Sequence, residues 1–546
     1  MKNGPYPFNE IEPHETLRDI EVKAAQRTPD EIAYTFKRKK ELVKISFSQL
    51  KNDVFALGSA FWDAGIKDMR IAVLGENSYE WVITFKATVG GGNVIVPIDK
   101  DSPYTDIEHV INESEAAALV FSDAYCDIAE KLKAGGSALK YYWNMKTDLP
   151  ALIERGNELM KDENNPFTHY KVDPESMAAI FYTSGTTGFA KGVMLSHKNM
   201  VANMIATAQI VKLEERELAA LPLHHSFTVL TVIGAPGVSV NVFINNSLKD
   251  LQKDITEFSP TITCVVPLAL EVMSKTVWST AKKQGKYHLL KAMIPISLTL
   301  FKVGIDIRRK LFKSVLAGFG GELKIIISGG APLNPKLVKE FRAFGIDVLN
   351  GYGITECSPI VSGNRIYHYR DGSVGPVLPC NEVKIIDTDE NGHGEICVKG
   401  DNVMMGYYKN EKATREAFDG EWFKTGDLGY VDKDGFLFIT GRKKNLIILA
   451  NGKNVQPEEL EFAIENHIPY VKEVLVYEGD NKIVAEVFLD TENDPDCASR
   501  LDGDILKVNR TLAPYKNIGK TVIRDTEFPK TTTRKIKRQY GGKENA

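Results

Sequence analysis

Neither net charge nor cysteine is in surplus in this 546-residue chain, and each shortage removes a class of function. Its 68 Lys and Arg stand against 72 Asp and Glu, so no global field gathers nucleic acid or an anionic membrane. The six cysteines, at 126, 264, 357, 380, 397 and 497, form no C-x-x-C pair and have no His-x-x-His companion. That argues against zinc ribbons and disulfide frameworks and fits a reducing cytosol. The N-terminal MKNGPYPFNEIEPHE is polar and acidic, with no apolar core followed by small cleavage-site residues, so neither a signal peptide nor export is expected. One charge-free stretch, Leu218 to Leu248, is broken by Pro222, Gly234, Pro236, Gly237 and several Asn. A membrane span needs about 20 predominantly apolar residues, so buried strand, loop and helix are expected there instead. Repeats of solenoid period are lacking, as are low-complexity tracts apart from the terminal GGKENA, which sets repeat architectures aside.

What is present points to a large globular protein. A chain that is 43% hydrophobic can bury a sizeable core, and single cores stop growing near ~250–300 residues, so more than one lobe is expected. The β-branched runs RIAVL (70–74), NVIVPI (93–98), AAIFYT (178–183), ITCVVP (262–267) and LKIIIS (323–328) alternate with helical segments. This is the pattern of a mostly parallel sheet covered by helices, hence an α/β fold. Residues 372–440 read as short strands broken by Gly and Asp turns, and residues 457–546 restart as a small helix-strand unit. A second lobe is expected from residue 442, dividing the chain into 1–441 and 442–546.

The strand AAIFYT feeds Ser184-Gly185-Thr186-Thr187-Gly188-Phe189-Ala190-Lys191-Gly192. Hydroxyls, glycines that let backbone N–H groups approach an anion, and one lysine suit such a loop to phosphate. No Gly-Lys-Ser/Thr closes it, so it is not a Walker loop. Further along come Gly329-Gly330-Ala331-Pro332, Asn350-Gly351-Tyr352-Gly353-Ile354-Thr355-Glu356, Thr425-Gly426-Asp427, Gly441-Arg442-Lys443-Lys444, and Pro529-Lys530-Thr531-Thr532-Thr533-Arg534-Lys535-Ile536-Lys537-Arg538. The paired aspartates of VDKDGF (Asp432, Asp434) and IIDTDENGHG (Asp387, Asp389) have hairpin-turn chemistry and are assigned no catalysis.

In this order the motifs resemble the adenylate-forming (AMP-binding) superfamily over roughly residues 15 to 540. LPLHHSF (221–227), TECSP (355–359) and the long segment 275–320 look most like bacterial long-chain fatty acid CoA ligases. The resemblance implies a large N-terminal domain, of two α/β subdomains plus a distorted β-barrel, and a small mobile α+β C-terminal domain. It implies ATP-dependent conversion of a carboxylic acid to its acyl-AMP, then transfer to a thiol, with ATP, Mg²⁺ and coenzyme A as the small molecules used. Thr183, Ser184, Gly185, Thr186, Thr187, Gly188 and Lys191 would hold the β- and γ-phosphates. Glu356, with Thr183 a second candidate, would ligate Mg²⁺, which prefers oxygen. Tyr352 would stack on adenine, with Gly330, Ala331, Pro332, Asn350, Gly351, Gly353 and Thr355 around it. Asp427 would accept hydrogen bonds from the ribose diol, Arg442 would contact ribose or phosphate, and Lys535 would reach between the carboxylate and the α-phosphate. Arg534 stands where many relatives have glycine and Ala190 where many have proline.

The second half-reaction needs Lys535 withdrawn so that a thiol can attack. The resemblance puts the pivot at Lys444 and a coenzyme A face around Asn451, Gly452 and Lys453. His225 is similar to the aromatic-or-histidine gate beside the carboxylate pocket, and the apolar segment 226–244 is a candidate tunnel for an alkyl chain. Three rival activities share the first half-reaction: loading a carrier-protein pantetheine, activating an aryl or bile acid, and a luciferase-like oxidation. A non-catalytic nucleotide-binding scaffold would be expected to lose Lys191, Glu356, Asp427 or Lys535, and all four are present. Ala292 to Phe301, followed by Lys302, Arg308, Arg309, Lys310 and Lys313, suggests peripheral contact of a cytoplasmic protein with the inner face of the membrane.

Overall fold

The computed structural model of the chain describes residues 7–39, 41–183, 190–211, 216–246, 250–449, 453–479, 482–530 and 536–538. The chain packs as two units, Met1–Glu382 with Val398–Phe423, and Val383–Cys397 with Lys424–Ala546.

The first unit is built on two sheets. One has eight strands in the spatial order Ile360–Gly363, Asp347–Gly353, Ile325–Ser328, Ile262–Val265, Arg216–Ala219, Asn241–Ile244, Ile32–Arg38 and Glu41–Ser46. Its six inner strands pair parallel and each edge is closed by an antiparallel partner. The other has seven, in the order Gly406–Tyr407, Lys191–Ser196, Met177–Thr183, Val94–Pro97, Arg70–Leu74, Ala116–Phe121 and Tyr141–Asn144. Parallel strands are covered on both faces, which is why they read as apolar runs rather than alternating ones. The helix His197–Ile210 starts from a reciprocal cap in which Ser196 and Asn199 each bond the other's backbone N–H. Its Ala206 and Ile210 join Ile262, Ile325 and Leu349 in one core cluster on a face of the eight-stranded sheet.

In the second unit, residues 427–431 pair antiparallel with Leu437–Arg442 as a hairpin. The helix Pro457–His467 and the helix Cys497–Asn509 close a core with the three-stranded sheet of Val471–Gly479, Lys482–Leu489 and Lys520–Arg524. Leu460, Ile464, Val476, Ala485, Val487 and Leu501 lie in it, each 1% exposed or less. The expected aspartate turns are there: Asp432 Oδ1 accepts from the N–H of Asp434 and Phe436, and Asp389 Oδ1 from Asn391 and His393.

The charge-free stretch after Leu218 is strand, the helix Ser226–Gly234, a short 3₁₀ turn and strand. Among the described residues no helix is long and apolar enough to cross a membrane. The expected basic patch after Phe301 is smaller than its sequence suggests. Arg308 is 7% exposed and turned inward onto Asp306, Asp347 and the Phe301 ring, while Arg309 donates to the carbonyls of Gly321, Leu323 and Gly345. Both guanidiniums are taken up by acceptors of the chain itself, so the outward cations are the lysines.

Candidate active site

The phosphate-loop candidate closes a hairpin. Met177–Thr183 and Lys191–Ser196 pair antiparallel, and Thr183 opposite Lys191 is the last rung. Ser184, Gly185, Thr186, Thr187 and Gly188 lie outside the described residues. The short strand Gly406–Tyr407 pairs with Met194 and Val193 and carries Tyr407 alongside. Lys191 Nζ sits 5.0 Å from the Tyr407 ring centroid, and the Tyr407 hydroxyl donates to Glu356 Oε1 at 2.9 Å. The backbone oxygen of Glu356 accepts from Met404 N at 2.8 Å. Burial, then the Glu356 carboxylate, hold the Tyr407 phenol well above its usual pKa, so it stays a donor to that carboxylate. Tyr407 carries no motif of its own and is found only from this pairing.

The glycine motifs converge at the C-terminal ends of the parallel strands, where open α/β sheets present ligand crevices. Gly329 follows the strand Ile325–Ser328, and a Cβ there would stand 3.0 Å from the Gly351 carbonyl oxygen. Gly330 takes φ +82, a left-handed conformation suited to glycine, and leads into Ala331 and Pro332. Asn350 is held by its side-chain N–H to Ser373 O at 3.0 Å and by Asn364 N donating to its carbonyl at 2.9 Å. Gly353 could carry no side chain, since a Cβ would lie 2.4 Å from Pro359 O. Tyr352 between them is 8% exposed. Thr355 and Glu356 form a 3₁₀ turn just beyond, with Thr355 Oγ1 3.4 Å from Ser226 Oγ.

His225 is the residue that starts the helix Ser226–Gly234, and its carbonyl takes the first helical bond from Val229 N at 3.0 Å. The loop before it is clamped by Asn77, which donates to Leu221 O and accepts from Leu223 N, both at 2.8 Å. The His224 ring lies 4.2 Å from that of His225 and 3.4 Å from Asp99. Burial lowers its pKa to about 4, so it is a neutral neighbour at physiological pH. Asn77 gives no signal in the sequence, because its partners lie some 145 residues away.

In the second unit the register puts Asp427 opposite Arg442. Asp427 is 2% exposed, and Arg442 Nε meets its Oδ1 at 2.7 Å. Thr425 Oγ1 accepts from Asp427 N at 3.0 Å, Gly426 N donates to Glu395 Oε1 at 3.2 Å, and Glu395 Oε2 binds Lys443 Nζ at 2.6 Å. Lys444 lies in the 3₁₀ turn Lys443–Asn445. Crowding by its surroundings and then the Arg442 guanidinium hold its ammonium below its usual pKa. Lys453 Nζ stands 4.4 Å from the Tyr515 ring centroid. Lys535, Asn451 and Gly452 lie outside the described residues.

A cavity of about 50 Å³ lies in the first unit among the helices His197–Ile210 and Ser226–Gly234 and the eight-stranded sheet. Leu230, Thr231 and Gly234 line it, one to two helical turns past Ser226, or about 6–12 Å. Ile327 lines it from the sheet side, about 7 Å before Gly329. Part of the candidate tunnel 226–244 therefore borders real space. Beside it stands Glu217, 3% exposed, whose carboxyl pKa is pushed up to about 7 by burial. The charge-free stretch begins one residue after this acid, which the sequence alone does not single out.

As for a metal, among the described residues no three His, Cys, Asp or Glu side chains gather. Magnesium needs no such cage, because it takes one or two protein oxygens and fills its shell from phosphates and water. A single carboxylate, Glu356, near the Thr183–Lys191 rung fits that donor set.

A family model described as AMP-binding enzyme matches residues 22–408, and one described as AMP-binding enzyme C-terminal domain matches residues 444–544. The chain is 28% identical to a long-chain-fatty-acid–CoA ligase of Mycobacterium bovis, over 98% of this chain and 96% of that one. It is 32% identical to fatty acyl-CoA synthetase A of Dictyostelium discoideum, over 80% of this chain and 70% of that one. In fold it is similar to an anthranilate CoA ligase solved with anthranoyl-AMP, at a TM-score of 0.77 and 22% identity, covering 98% and 97% of the two chains.

Proposed function

The chain belongs to the AMP-binding enzyme family, and on that premise we propose that it is a fatty acid–CoA ligase whose acyl chain enters the cavity beside the helix Ser226–Gly234. It is an AMP-forming acid–thiol ligase that uses ATP, Mg²⁺ and coenzyme A. A carboxylate oxygen of the acid attacks the α-phosphorus of ATP; the new acyl–phosphate bond forms as the bond to pyrophosphate breaks. The thiol of coenzyme A then attacks the acyl carbonyl, and AMP leaves.

The observation that carries the reading is a largely apolar cavity lined by Leu230, Thr231 and Gly234 of the helix that His225 starts and by Ile327 of the strand that leads to Gly329. In this reading the crevice of Gly329–Pro332 and Asn350–Gly353 takes the adenine against Tyr352. Lys191 offers positive charge to the phosphates, and Asp427 accepts from the ribose hydroxyls, with Arg442 as its partner and as a contact to ribose or phosphate. Mg²⁺, when bound, neutralises phosphate charge; Glu356 would hold it, with Thr183 as a second oxygen. The Tyr407 hydroxyl orients Glu356 for that task. Lys535 supplies the cation between carboxylate and α-phosphate, Lys444 is the pivot between the two half-reactions, and Asn451, Gly452 and Lys453 form the coenzyme A face. The domain division at 441/442 belongs to the same reading.

The six cysteines are all free thiols, which supports a reducing, cytoplasmic setting. Exposed Leu289, Ile296, Val303 and Ile305, interspersed with the exposed Lys286, Lys291, Lys302 and Lys310, support peripheral contact with an anionic bilayer.

The test is Mg²⁺- and acid-dependent AMP release across acids from acetate to palmitate and benzoate, with and without coenzyme A. Rapid release that requires coenzyme A and an alkyl acid is expected. Acid-dependent pyrophosphate exchange without stimulation by coenzyme A would point to a carrier protein as acceptor. A preference for benzoate would overturn the fatty acid assignment.

A further inference from the structure

The cavity that takes the chain in this reading is not uniformly apolar. Glu217 lies on the strand Arg216–Ala219, opposite Ile262, which is opposite Ile325 in turn. Around it the same face carries Val242, Ile262, Cys264, Ile325 and Ile327. The Glu217 carboxyl has Thr231 and Cys264 as hydrogen-bonding neighbours, but its Oε1 has no partner among the described residues. Tyr34, also near, spends its hydroxyl on Val232 O at 2.7 Å. His14, 9% exposed, lines the same space, and neither of its ring nitrogens is hydrogen-bonded among the described residues. Buried polar atoms are nearly always bonded, and an unbonded carboxyl oxygen that faces a cavity is placed to take a water or a ligand group as its partner.

Resting on the fatty acid–CoA ligase reading, we propose that Glu217 is a specificity-determining residue. Its carboxyl meets a hydroxyl or similar oxygen function carried on the acyl chain, so that oxygenated fatty acids are preferred over plain alkyl acids of equal length. The volume of about 50 Å³ holds roughly three to five water-sized groups at ~10–15 Å³ each, enough for the end of a chain with a hydroxyl. A plain methyl terminus reaching this depth expels any water and strands the carboxyl, whereas a hydroxyl replaces the water's bonds. A site built to bond a hydroxyl discriminates strongly against an analogue that lacks it.

The experiment measures kcat/KM by AMP release for pairs of straight-chain acids from six to sixteen carbons, each with and without a terminal hydroxyl. The intact enzyme is compared with Glu217→Gln and Glu217→Leu. Over one band of lengths the intact enzyme is expected to favour the hydroxy acid about tenfold or more. Glu217→Gln, still a hydrogen-bonding group, keeps the sign of that preference, and Glu217→Leu reverses it. A ratio near one at every length in the intact enzyme overturns the inference with no variant needed, and so does an unchanged preference in Glu217→Leu. Failure of every acid to release AMP would instead bring down the acid-activating reading itself, and this inference with it.

Discussion

Replacing Glu217 by glutamine tests the burial of this acid without reference to any substrate. The carboxyl has an ordinary pKa of 4.5 in the unfolded chain and about 7 in the folded one, because burial penalises its charge. Between those values the native state holds a proton that the unfolded state has already released. The contribution of Glu217 to stability is therefore most favourable below about pH 4.5, falls as pH rises, and levels off above pH 7, the reverse of a salt-bridged carboxylate. At ~1.36 kcal/mol per pKa unit, the loss between pH 5 and pH 8 comes to about 2.5 kcal/mol. Glu217→Gln removes this dependence, so the variant should gain about that much relative to the parent on going from pH 5 to pH 8. All five tryptophans, at 62, 81, 143, 278 and 422, lie in the first unit, so denaturant unfolding followed by tryptophan fluorescence reports the unit that contains Glu217. Any fixed cost of the amide is equal at the two pH values and cancels. A stability difference between parent and variant that is the same at both, within about 0.5 kcal/mol, would show that Glu217 does not titrate in this interval and would refute the reasoning.

Tyr407→Phe removes the donor to Glu356; hydrogen bonds to charged groups contribute about 1.5–3 kcal/mol. The variant should lose about tenfold in kcat/KM for ATP at limiting Mg²⁺ and recover part of it at high Mg²⁺; an unchanged Mg²⁺ dependence would remove Tyr407 from the site. Lys535→Ala should reduce adenylation from free acid and ATP by about 10²-fold or more while sparing thioester formation from supplied acyl-adenylate. Loss of both steps would mean that Lys535 acts structurally. Lys444→Pro, which restricts φ in the turn Lys443–Asn445, should give the opposite pattern: pyrophosphate exchange retained and thioester formation suppressed. Equal loss of the two partial reactions would end the pivot assignment.

Much of the fold was legible because its signals are local. The β-branched runs RIAVL and AAIFYT fall on strands, and ITCVVP and LKIIIS each contain one of four residues, since a strand buried on both faces must be apolar along its length. The turns at Asp389 and Asp432 were legible for a similar reason, as each aspartate bonds the backbone two and four residues on. Gly353 marks a place where backbones approach too closely for a side chain, and Gly329 one where the fit would be tight, and that requirement survives in the letters of the sequence. Composition also misled: Arg308 and Arg309 read as surface cations, but buried carboxylates and carbonyls supplied by distant segments draw them inward.

What the sequence by itself determined is the set of groups whose function is written in their own backbone: the Gly/Thr loop, the glycine crevice, the Thr-Gly-Asp turn and the order in which they come. The tertiary structure alone decided which side chains from far along the chain complete them. Tyr407 reaches Glu356 because a two-residue strand pairs with Met194 and Val193. Asn77 clamps the loop before His225 from a different sheet, and Glu217 becomes a shifted acid only because the helix Ser226–Gly234 and the strand Ile262–Val265 close over it. The physical reason is range. Backbone conformation is set within a few residues, whereas desolvation and hydrogen-bond partnership depend on whatever the fold brings within a few ångströms.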